Sequence, residues 1–250
     1  MKLTQPVSIG NLTLKNRMVM APMGVDLGNY DERTRAYYLA RAKGGIGMIL
    51  CNTLATPEIE GMCPSSLLDA DSYEDFRDMT ENAHRFNCRV CVQIHPGNGR
   101  ITTPPPGRDK PLGASAVPWM DPRVICEEIT RDEIRIIEDG FRRTARYAKK
   151  AGADAIEIHA YGGYIIDQFL TKEWNKRTDE YGGSLENRCR YPQLVCGRIK
   201  EKCGKDFLID VSISGYDPDP ECGWSLEDTV RFLEIMDGYV DFVEVRCNDI

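Results

Sequence analysis

Short, nearly continuous apolar segments alternate with longer amphipathic segments along most of this chain. Short apolar runs are typical of strands buried on both faces, and apolar residues at helical spacing are typical of helices that cover such strands. The pattern predicts six strands, at Arg17–Met23, Ile46–Asn52, Arg89–His95, Ala155–His159, Phe207–Ser214 and Val240–Arg246. It predicts five intervening helices, at Asp31–Lys43, Asp71–Phe86, Thr130–Ala151, Ser184–Gly204 and Ser225–Gly238.

Local signals mark several element ends. Thr130 and Glu133 have the spacing of a capping box, which predicts a helix start. Gly10-Asn11 separates two short apolar runs within residues 7–14 and predicts a hairpin turn. The proline-rich stretch that begins at Thr102 cannot form regular structure. We therefore expect an irregular loop over the strand ends from Thr102 to about Cys126.

Repeated strand–helix units predict an α/β fold with a parallel sheet. A doubly wound sheet is one solution, but no G-x-G-x-x-G follows the first strand, which counts against a dinucleotide-binding sheet. The other solution is a (β/α)8 TIM barrel, which needs eight strands. Six are predicted, so we expect a barrel that is truncated after its sixth strand. We assign residues 1–250 to this one domain, incomplete at its C-terminus.

Composition narrows the class of partner. A net charge of −7 and a pI of about 5.2 argue against nucleic acid or an anionic membrane as the main partner. No apolar run approaches the roughly 18 residues of a membrane span, and the N-terminus has no signal core, so a cytoplasmic location is expected. The ten cysteines are expected to be reduced. Cys88 and Cys91 have C-x-x-C spacing without a second pair, so we interpret them as packed strand residues and predict no metal site.

The stretch from Ala155 to Arg188 carries the most chemistry. Glu157 and His159 share one face of the predicted strand because alternate side chains point the same way. Gly162 and Gly163 loosen the following loop, and Tyr164 comes next. A histidine and a tyrosine at the carboxyl end of a strand place two hydrogen-bond donors towards one small volume, where β/α barrels build their active sites.

This stretch resembles the signature of the old yellow enzyme family. The matching residues are His159, Tyr164, the run Asp167-Gln168-Phe169-Leu170, and Asn175-x-Arg177-Thr178-Asp179-x-Tyr181-Gly182-Gly183-Ser184-Leu185-Glu186-Asn187-Arg188. The chain is most similar to the branch of 2-enoate reductases, 2,4-dienoyl-CoA reductases and bile-acid oxidoreductases. The resemblance implies an FMN-binding eight-stranded barrel whose bottom is plugged by a hairpin. It also implies NAD(P)H-linked reduction of an activated C=C bond in an unsaturated carbonyl or enoate.

The resemblance assigns roles to individual residues. Tyr164 matches the proton donor, and a phenol stays protonated at neutral pH yet can protonate a carbanion. His159 matches the first half of the pair that binds the substrate oxyanion. Gln93 matches the residue that hydrogen-bonds the flavin pyrimidine edge. The remaining candidate flavin contacts are Ala21, Pro22, Met23, Gly24, Asn52, Ser212 and Arg246.

The sequence departs from the family at three of these positions. The second oxyanion donor is replaced by Gly162, and the residue after the strand-one Pro-Met is Gly24. Ser212 stands where many members carry an arginine that faces flavin N1. Arg246 ends the next strand, and adjacent strands lie about 4.8 Å apart. We therefore expect Arg246 to replace the missing charge.

Several alternatives remain open. A strand histidine, a loop tyrosine or a buried glutamine can be purely structural, and Arg246 can pair with Glu244 or Asp249. Arg177, Asp179 and Arg188 favour an ion-pair network that holds the loop. The family resemblance also leaves open a steroid, bile-acid or amine substrate, or a flavin-binding barrel without turnover. The branch's iron–sulfur cysteines lie beyond the barrel and have no match here, so a 4Fe-4S cluster would belong to a further C-terminal part. The small-molecule substrate, the choice of NADH or NADPH and the oligomeric state are not predicted.

Overall fold

The computed structural model describes residues 2–23, 30–54, 70–96, 99, 104, 108–216 and 223–246, with the side chains of 52–54 and 70–71 outside that description. Its strands are β1 Val7–Ile9, β2 Leu12–Leu14, β3 Val19–Met20, β4 Met48–Leu54, β5 Arg89–Ile94, β6 Leu112–Gly113, β7 Glu127–Glu128, β8 Ala155–Ala160, β9 Leu208–Ser214 and β10 Phe242–Arg246. Its helices are α1 Glu32–Lys43, α2 Ala70–Arg85, α3 Arg131–Lys150, α4 Ile165–Leu170, α5 Leu185–Arg188, α6 Arg190–Cys203 and α7 Leu226–Met236.

One curled parallel sheet organises the described chain. Its six strands lie in the order β10-β9-β8-β5-β4-β3, so each neighbours the sheet strand that precedes it along the chain. A doubly wound sheet would reverse this order at a switch point, and no reversal occurs in the described part. The arrangement supplies six of the eight strands of a (β/α)8 barrel. The predicted fold class, a (β/α)8 TIM barrel, is confirmed, with six of its strands in the described part of the chain.

Alternation along each strand separates an outer face from an inner face. On β8, Ile156 and Ile158 belong to the large core cluster formed with the helices, whereas Ala155 belongs to a second cluster. Because strand side chains alternate, Glu157 and His159 share the inner face with Ala155. The inner face is therefore apolar at the start of the strand and polar towards its end.

The N-terminal hairpin fills the amino-terminal end of this inner face. β1 and β2 pair antiparallel around the turn at Gly10-Asn11, as predicted. Leu12 and Leu14 pack in the second cluster against early residues of four sheet strands, namely Met48, Leu50, Cys91, Ala155 and Leu208. The hairpin is thus the plug that the family resemblance implied.

Most element bounds agree with the sequence prediction to within two residues, with instructive exceptions. The capping boxes Thr130–Glu133 and Ser225–Asp228 both form. The predicted helix from Ser184 is divided at Cys189 into α5 and α6. Pro192 lacks an N–H and its ring would clash with the Arg188 carbonyl four residues earlier, which explains the break. β3 is only two residues long, at a sheet edge.

Two features were not predicted within the described chain. Ile165–Leu170 forms a short helix directly after Tyr164. The expected irregular loop contains β6, which pairs in parallel with β7. Because β7 comes just before α3, this pairing attaches the loop to the start of that helix. Both features order the segment that covers the strand ends.

The described cysteines behave as packed thiols. Seven of them are free and buried, including Cys88 and Cys91. Burial raises the pKa of both thiols, so they are poor nucleophiles or ligands. Within the described residues, no helix combines the length and the apolar character that a membrane crossing requires.

The signature loop is held by buried arginines, as predicted. Arg177 pairs with Asp179 (2.8 Å) and donates hydrogen bonds to the carbonyls of Ala114 and Ile129 (2.9 Å each). Arg188 donates to the Leu170 carbonyl and lies 3.7 Å from Asp228 of α7. Removing either arginine would leave buried carbonyls without partners, so their role is structural.

Candidate active site at the carboxyl ends of the strands

A glycine turn carries the chain from β8 into α4. Gly162 and Gly163 have φ of +72° and +79°, a backbone region that favours glycine. The Gly163 N–H donates to Asp167 Oδ2 (2.7 Å), and Gln168 Nε2 donates to the Gly163 carbonyl (2.8 Å). Tyr164 is the N-cap residue of α4 but makes no side-chain capping bond. The turn therefore fixes the backbone of Tyr164 while its hydroxyl is not used as a cap.

Three rings meet above the sheet at this turn. The rings of His159 and Tyr164 lie 4.4 Å apart between centroids. His95, which follows β5, lies 5.6 Å from His159 and 5.1 Å from Tyr164. The structure thus brings together the two predicted catalytic residues, and it adds a histidine that sequence reasoning did not assign to the site.

Both histidines are neutral at pH 7. Burial lowers the pKa of His159 to about 3, and the nearby His95 and Arg246 act in the same direction. Burial lowers the pKa of His95 to about 4. A neutral imidazole carries one N–H donor and one acceptor nitrogen. Nδ1 of the buried His159 has no hydrogen-bond partner among the described residues, so this atom has hydrogen-bonding capacity that the described chain does not use.

A row of polar side chains lies one layer deeper on the inner face. Gln93, Glu157 and Asp210 occupy one level, because Gln93 is in register with Glu157 and Glu157 with Asp210. Gln93 Nε2 donates to Glu157 Oε1. Carboxylate oxygens of Glu157, Asp210 and Glu244 all lie within 4.8 Å of one another. We call these three residues the acid triad.

Two members of the acid triad, Glu157 and Asp210, favour their protonated forms because they are buried. Burial raises the pKa of Asp210 to about 8, and Glu244 beside it acts in the same direction. Burial also raises the pKa of Glu157 well above its ordinary value, with Asp210 and Glu244 adding to the effect. Like-charged carboxylates that share a buried site cannot all ionise. The sequence signal was a polar residue at an inward position of three successive apolar strands, but only the register shows that these residues meet.

A stack of three side chains connects β8 to β10. The Tyr161 ring lies parallel to the His159 ring, with 4.4 Å between centroids and 2° between planes. The Arg246 guanidinium lies 4.3 Å from the centroid of the Tyr161 ring, a cation–π arrangement. Ser212 Oγ donates a long hydrogen bond of 3.5 Å to the Ile158 carbonyl. Arg246 therefore reaches the site, whereas Ser212 is engaged with the neighbouring strand.

The structure describes only some of the candidate flavin contacts that follow β3 or lie on β4. Ala21, Pro22 and Met23 follow β3, and Tyr38 Oη donates to the Met23 carbonyl (3.1 Å). Met23 is 56% exposed, so its side chain is accessible at the edge of the sheet. Gly24 lies outside the described residues, as does the side chain of Asn52, whose backbone belongs to β4. Their flavin contacts remain predictions, as does that of Gln93.

Comparison with known proteins decides the family. The profile of the NADH:flavin oxidoreductase / NADH oxidase family matches residues 2–247. This chain belongs to that family. The resemblance to the old yellow enzymes is thereby confirmed, and FMN is the cofactor that the family binds, with NAD(P)H as reductant.

Relatives in the NADH:flavin oxidoreductase family differ in length and chemistry. Cinnamate reductase of Clostridium sporogenes is 37% identical over 227 residues, covering 85% of this chain and 34% of that protein. NADPH dehydrogenase of Clostridium acetobutylicum is 31% identical, covering 100% of this chain and 75% of that protein. The structure of histamine dehydrogenase from Rhizobium sp. 4-9 superimposes with a TM-score of 0.83 at 28% identity, covering 98% of this chain and 37% of that one. The chain thus spans about a third of the length of the cinnamate reductase.

The residues present fit a flavin of this family. An isoalloxazine ring offers carbonyl oxygens and ring nitrogens, which need donors on the protein. His159 Nδ1 and Arg246 Nε and Nη2 are buried atoms without hydrogen-bond partners in the described part of the chain. They lie at the carboxyl ends of β8 and β10, the side of the barrel where cofactors bind. FMN would supply hydride chemistry there.

Proposed function

We propose that this chain forms the FMN-binding part of an NAD(P)H-linked ene-reductase. Its substrate would be a small molecule with a C=C bond activated by a neighbouring carbonyl or carboxylate group. The observation that carries the proposal is the approach of His159 and Tyr164, 4.4 Å apart between ring centroids at the end of β8. The cinnamate reductase relative, whose name describes reduction of an unsaturated acid, supports this substrate class.

Tyr164 serves as the general acid. Once hydride has been added to the β-carbon, charge develops on the α-carbon and the carbonyl oxygen. A positioned phenol protonates the α-carbon and so completes the reduction. The Gly162-Gly163 turn and the hydrogen bond from Gly163 to Asp167 (2.7 Å) hold the Tyr164 backbone in place.

His159 and His95 stabilise the carbonyl oxygen. A neutral imidazole donates a hydrogen bond without losing a proton in the process, and pre-positioned donors of this kind stabilise developing oxyanions. The family's second donor is absent at Gly162, but His95 lies 5.6 Å from His159 between ring centroids. His95, which follows the neighbouring strand β5, thus supplies the second donor.

Amine oxidation is the second candidate function. The histamine dehydrogenase likeness favours it, and the absence of the second donor at Gly162 is compatible with it. The site contains an acidic cluster, but that cluster lies below the three rings. Burial favours the protonated forms of Glu157 and Asp210, and Glu244 pairs with Arg246 at 2.8 Å. A positively charged amine gains little from it, so we favour the unsaturated carbonyl.

Replacement of Tyr164 tests the proposal. In the complete flavin-loaded gene product, Tyr164→Phe should keep FMN and its reduction by NAD(P)H. Reoxidation of the reduced flavin by an unsaturated carbonyl should slow by about 10² to 10⁴-fold. The control is Tyr239→Phe, which removes a hydroxyl from a residue that is 36% exposed. An unchanged reoxidation rate in Tyr164→Phe under anaerobic stopped flow would remove Tyr164 from the reaction.

The other assignments belong to the same proposal. We assign residues 1–250 to one FMN-binding barrel domain and place the protein in the cytoplasm. Its partners are the small-molecule substrate and the nicotinamide reductant, rather than nucleic acid or a membrane. The acidic charge of −7 supports the exclusion of nucleic acid.

A further inference from the structure

Arg246 lies largely inside the barrel end rather than on the protein surface. It ends β10, where it is in register with Ser214 of β9. Its guanidinium packs on Tyr161, and its side chain is only 23% exposed. It is close enough to His159 to contribute to the lowered pKa of that histidine. Arg246 therefore belongs to the polar end of the inner face.

Two of its donor nitrogens, Nε and Nη2, make no hydrogen bond of normal geometry among the described residues. Nη2 lies 2.8 Å from Glu244 Oε1, which makes an ion pair. These two nitrogens lie on the same edge of the guanidinium plane, an edge that matches two adjacent acceptor atoms. Buried donor atoms that lack a well-aligned acceptor cost free energy unless a ligand satisfies them.

The order of strands places this edge along the cofactor. In barrels of this type the phosphate of a cofactor binds after strands seven and eight. β10 is the sixth strand of the sheet and β8 is the fourth. A flavin whose phosphate lies beyond β10 and whose ring reaches His159 must pass the end of β10. Arg246 would then face the ring of such a flavin or the atoms next to it.

We propose that Arg246 binds the N1–C2 carbonyl edge of FMN, with Glu244 as its counter-charge, so that this pair tunes the flavin's preference for the reduced state. The inference rests on the proposed flavin site. Reduced flavin carries negative charge at that edge, and a cation there favours the reduced form. Ser212 cannot provide a charge, and its hydroxyl already donates to the Ile158 carbonyl.

Glu244 gives the proposal a second, opposite consequence. Its carboxylate offsets part of the Arg246 charge, because the two lie 2.8 Å apart. Neutralising Glu244 should therefore strengthen the effect of Arg246 on the flavin. A purely structural ion pair would not shift the potential in opposite directions when its two members are replaced in turn.

The test is the two-electron midpoint potential of the flavin in the complete holoenzyme. Arg246→Gln should weaken binding of reduced relative to oxidised flavin by about tenfold, which lowers the potential by about 30 mV. Glu244→Gln should raise it, and Arg246→Lys should fall between Arg246→Gln and wild type. Adding Ser212→Arg to Arg246→Gln should restore the potential. Arg231→Gln is the control, since Arg231 pairs with Glu234 and Glu186 on the surface.

A potential that is unchanged in Arg246→Gln while the flavin remains bound would overturn the proposal. If the KM of that variant also rises for carboxylate substrates but not for ketones, Arg246 would be assigned to the substrate carboxylate instead. The potential is measured without any organic substrate. Loss of ene-reduction in an enzyme whose potentials shift as expected would therefore refute the proposed function and leave this inference standing.

Discussion

The two ends of the barrel interior are built from the same strands but from opposite chemistry. At the amino-terminal end, Leu50 and its neighbours pack against the hairpin as an apolar layer. At the carboxyl-terminal end, the same inward positions hold Gln93, the acid triad, His159 and Arg246. The lower layer has little polar surface to satisfy, whereas the upper layer contains buried atoms without partners. The lower layer therefore stabilises the fold, whereas the upper layer keeps buried polar atoms at a cost in stability, which is the arrangement expected of a binding site.

The largest expected effect is a loss of stability when a side chain of the lower layer is shortened. Leu50 is 1% exposed, so Leu50→Ala should lower the free energy of unfolding by about 2–5 kcal/mol through lost burial and a cavity. Leu226→Ala, at a helical residue that is 63% exposed, is the matched control and should change it by less than about 0.5 kcal/mol. Urea unfolding measures both. If Leu50→Ala lowers the free energy of unfolding by no more than Leu226→Ala does, the apolar lower layer does not stabilise the fold.

A smaller effect is expected where two loops approach above the upper layer. Gly99 has φ +105°, and a Cβ there would lie 2.6 Å from the Gly163 carbonyl, beside Tyr164. Gly99→Ala should cost about 1–3 kcal/mol of stability and should slow flavin reoxidation by displacing Tyr164. Gly45 has φ +102° but nothing within 4 Å of its Cβ position. Gly45→Ala therefore carries the backbone strain alone, and equal reoxidation rates in the two variants would refute the role of the close approach.

Much of this comparison was visible in the sequence, because it depends on local patterns. The apolar strands, the capping box at Thr130 and the hairpin at Gly10-Asn11 all follow from short-range spacing. His159 and Tyr164 are five residues apart on one strand and its turn, so their proximity was also predictable. The division of the helix at Cys189 follows from Pro192, so it too has a short-range sequence signal.

The rest depends on contacts between distant segments. Glu157 and Asp210 are 53 positions apart, and they meet only because β8 and β9 pair in one register. A shift of one residue would turn each side chain to the opposite face. The stack of Arg246 on Tyr161 and the place of His95 beside His159 depend likewise on the curl of the sheet. Pattern reading alone does not supply such registers.

The third effect is a change in how stability depends on pH, and it disappears at low pH. The pKa of Asp210 is raised in the folded state to about 8 from its ordinary value of 3.8, so the folded chain holds an extra proton between these values. Stability contributed by this group is therefore present at low pH and is lost as the pH rises towards about 8. Asp210→Asn should flatten the stability profile between pH 5 and 7 by about 1.4 kcal/mol per pH unit.

The control for this pH effect is Asp132→Asn, since the Asp132 side chain is 86% exposed. It should leave the slope of unfolding free energy against pH as in wild type. Urea unfolding at several pH values gives both slopes. Equal slopes in Asp210→Asn and wild type would mean that the folded chain binds no extra proton at Asp210. The two layers would then not differ in the way that their stability depends on pH.

The central claim is that Tyr164 protonates the α-carbon of an unsaturated substrate whose β-carbon receives hydride. The most direct test follows these two hydrogens into the product. The complete holoenzyme would be reduced anaerobically with NAD(P)H and mixed with an unsaturated acid or ketone in D₂O. The account predicts that solvent deuterium appears at the α-carbon through Tyr164, and that protium reaches the β-carbon as hydride when turnover is faster than exchange at the reduced flavin. It predicts that Tyr164→Phe slows this product while flavin reduction continues. A flavin that is reduced by an amine, yet is reoxidised by neither an unsaturated acid nor an unsaturated ketone, would contradict the account.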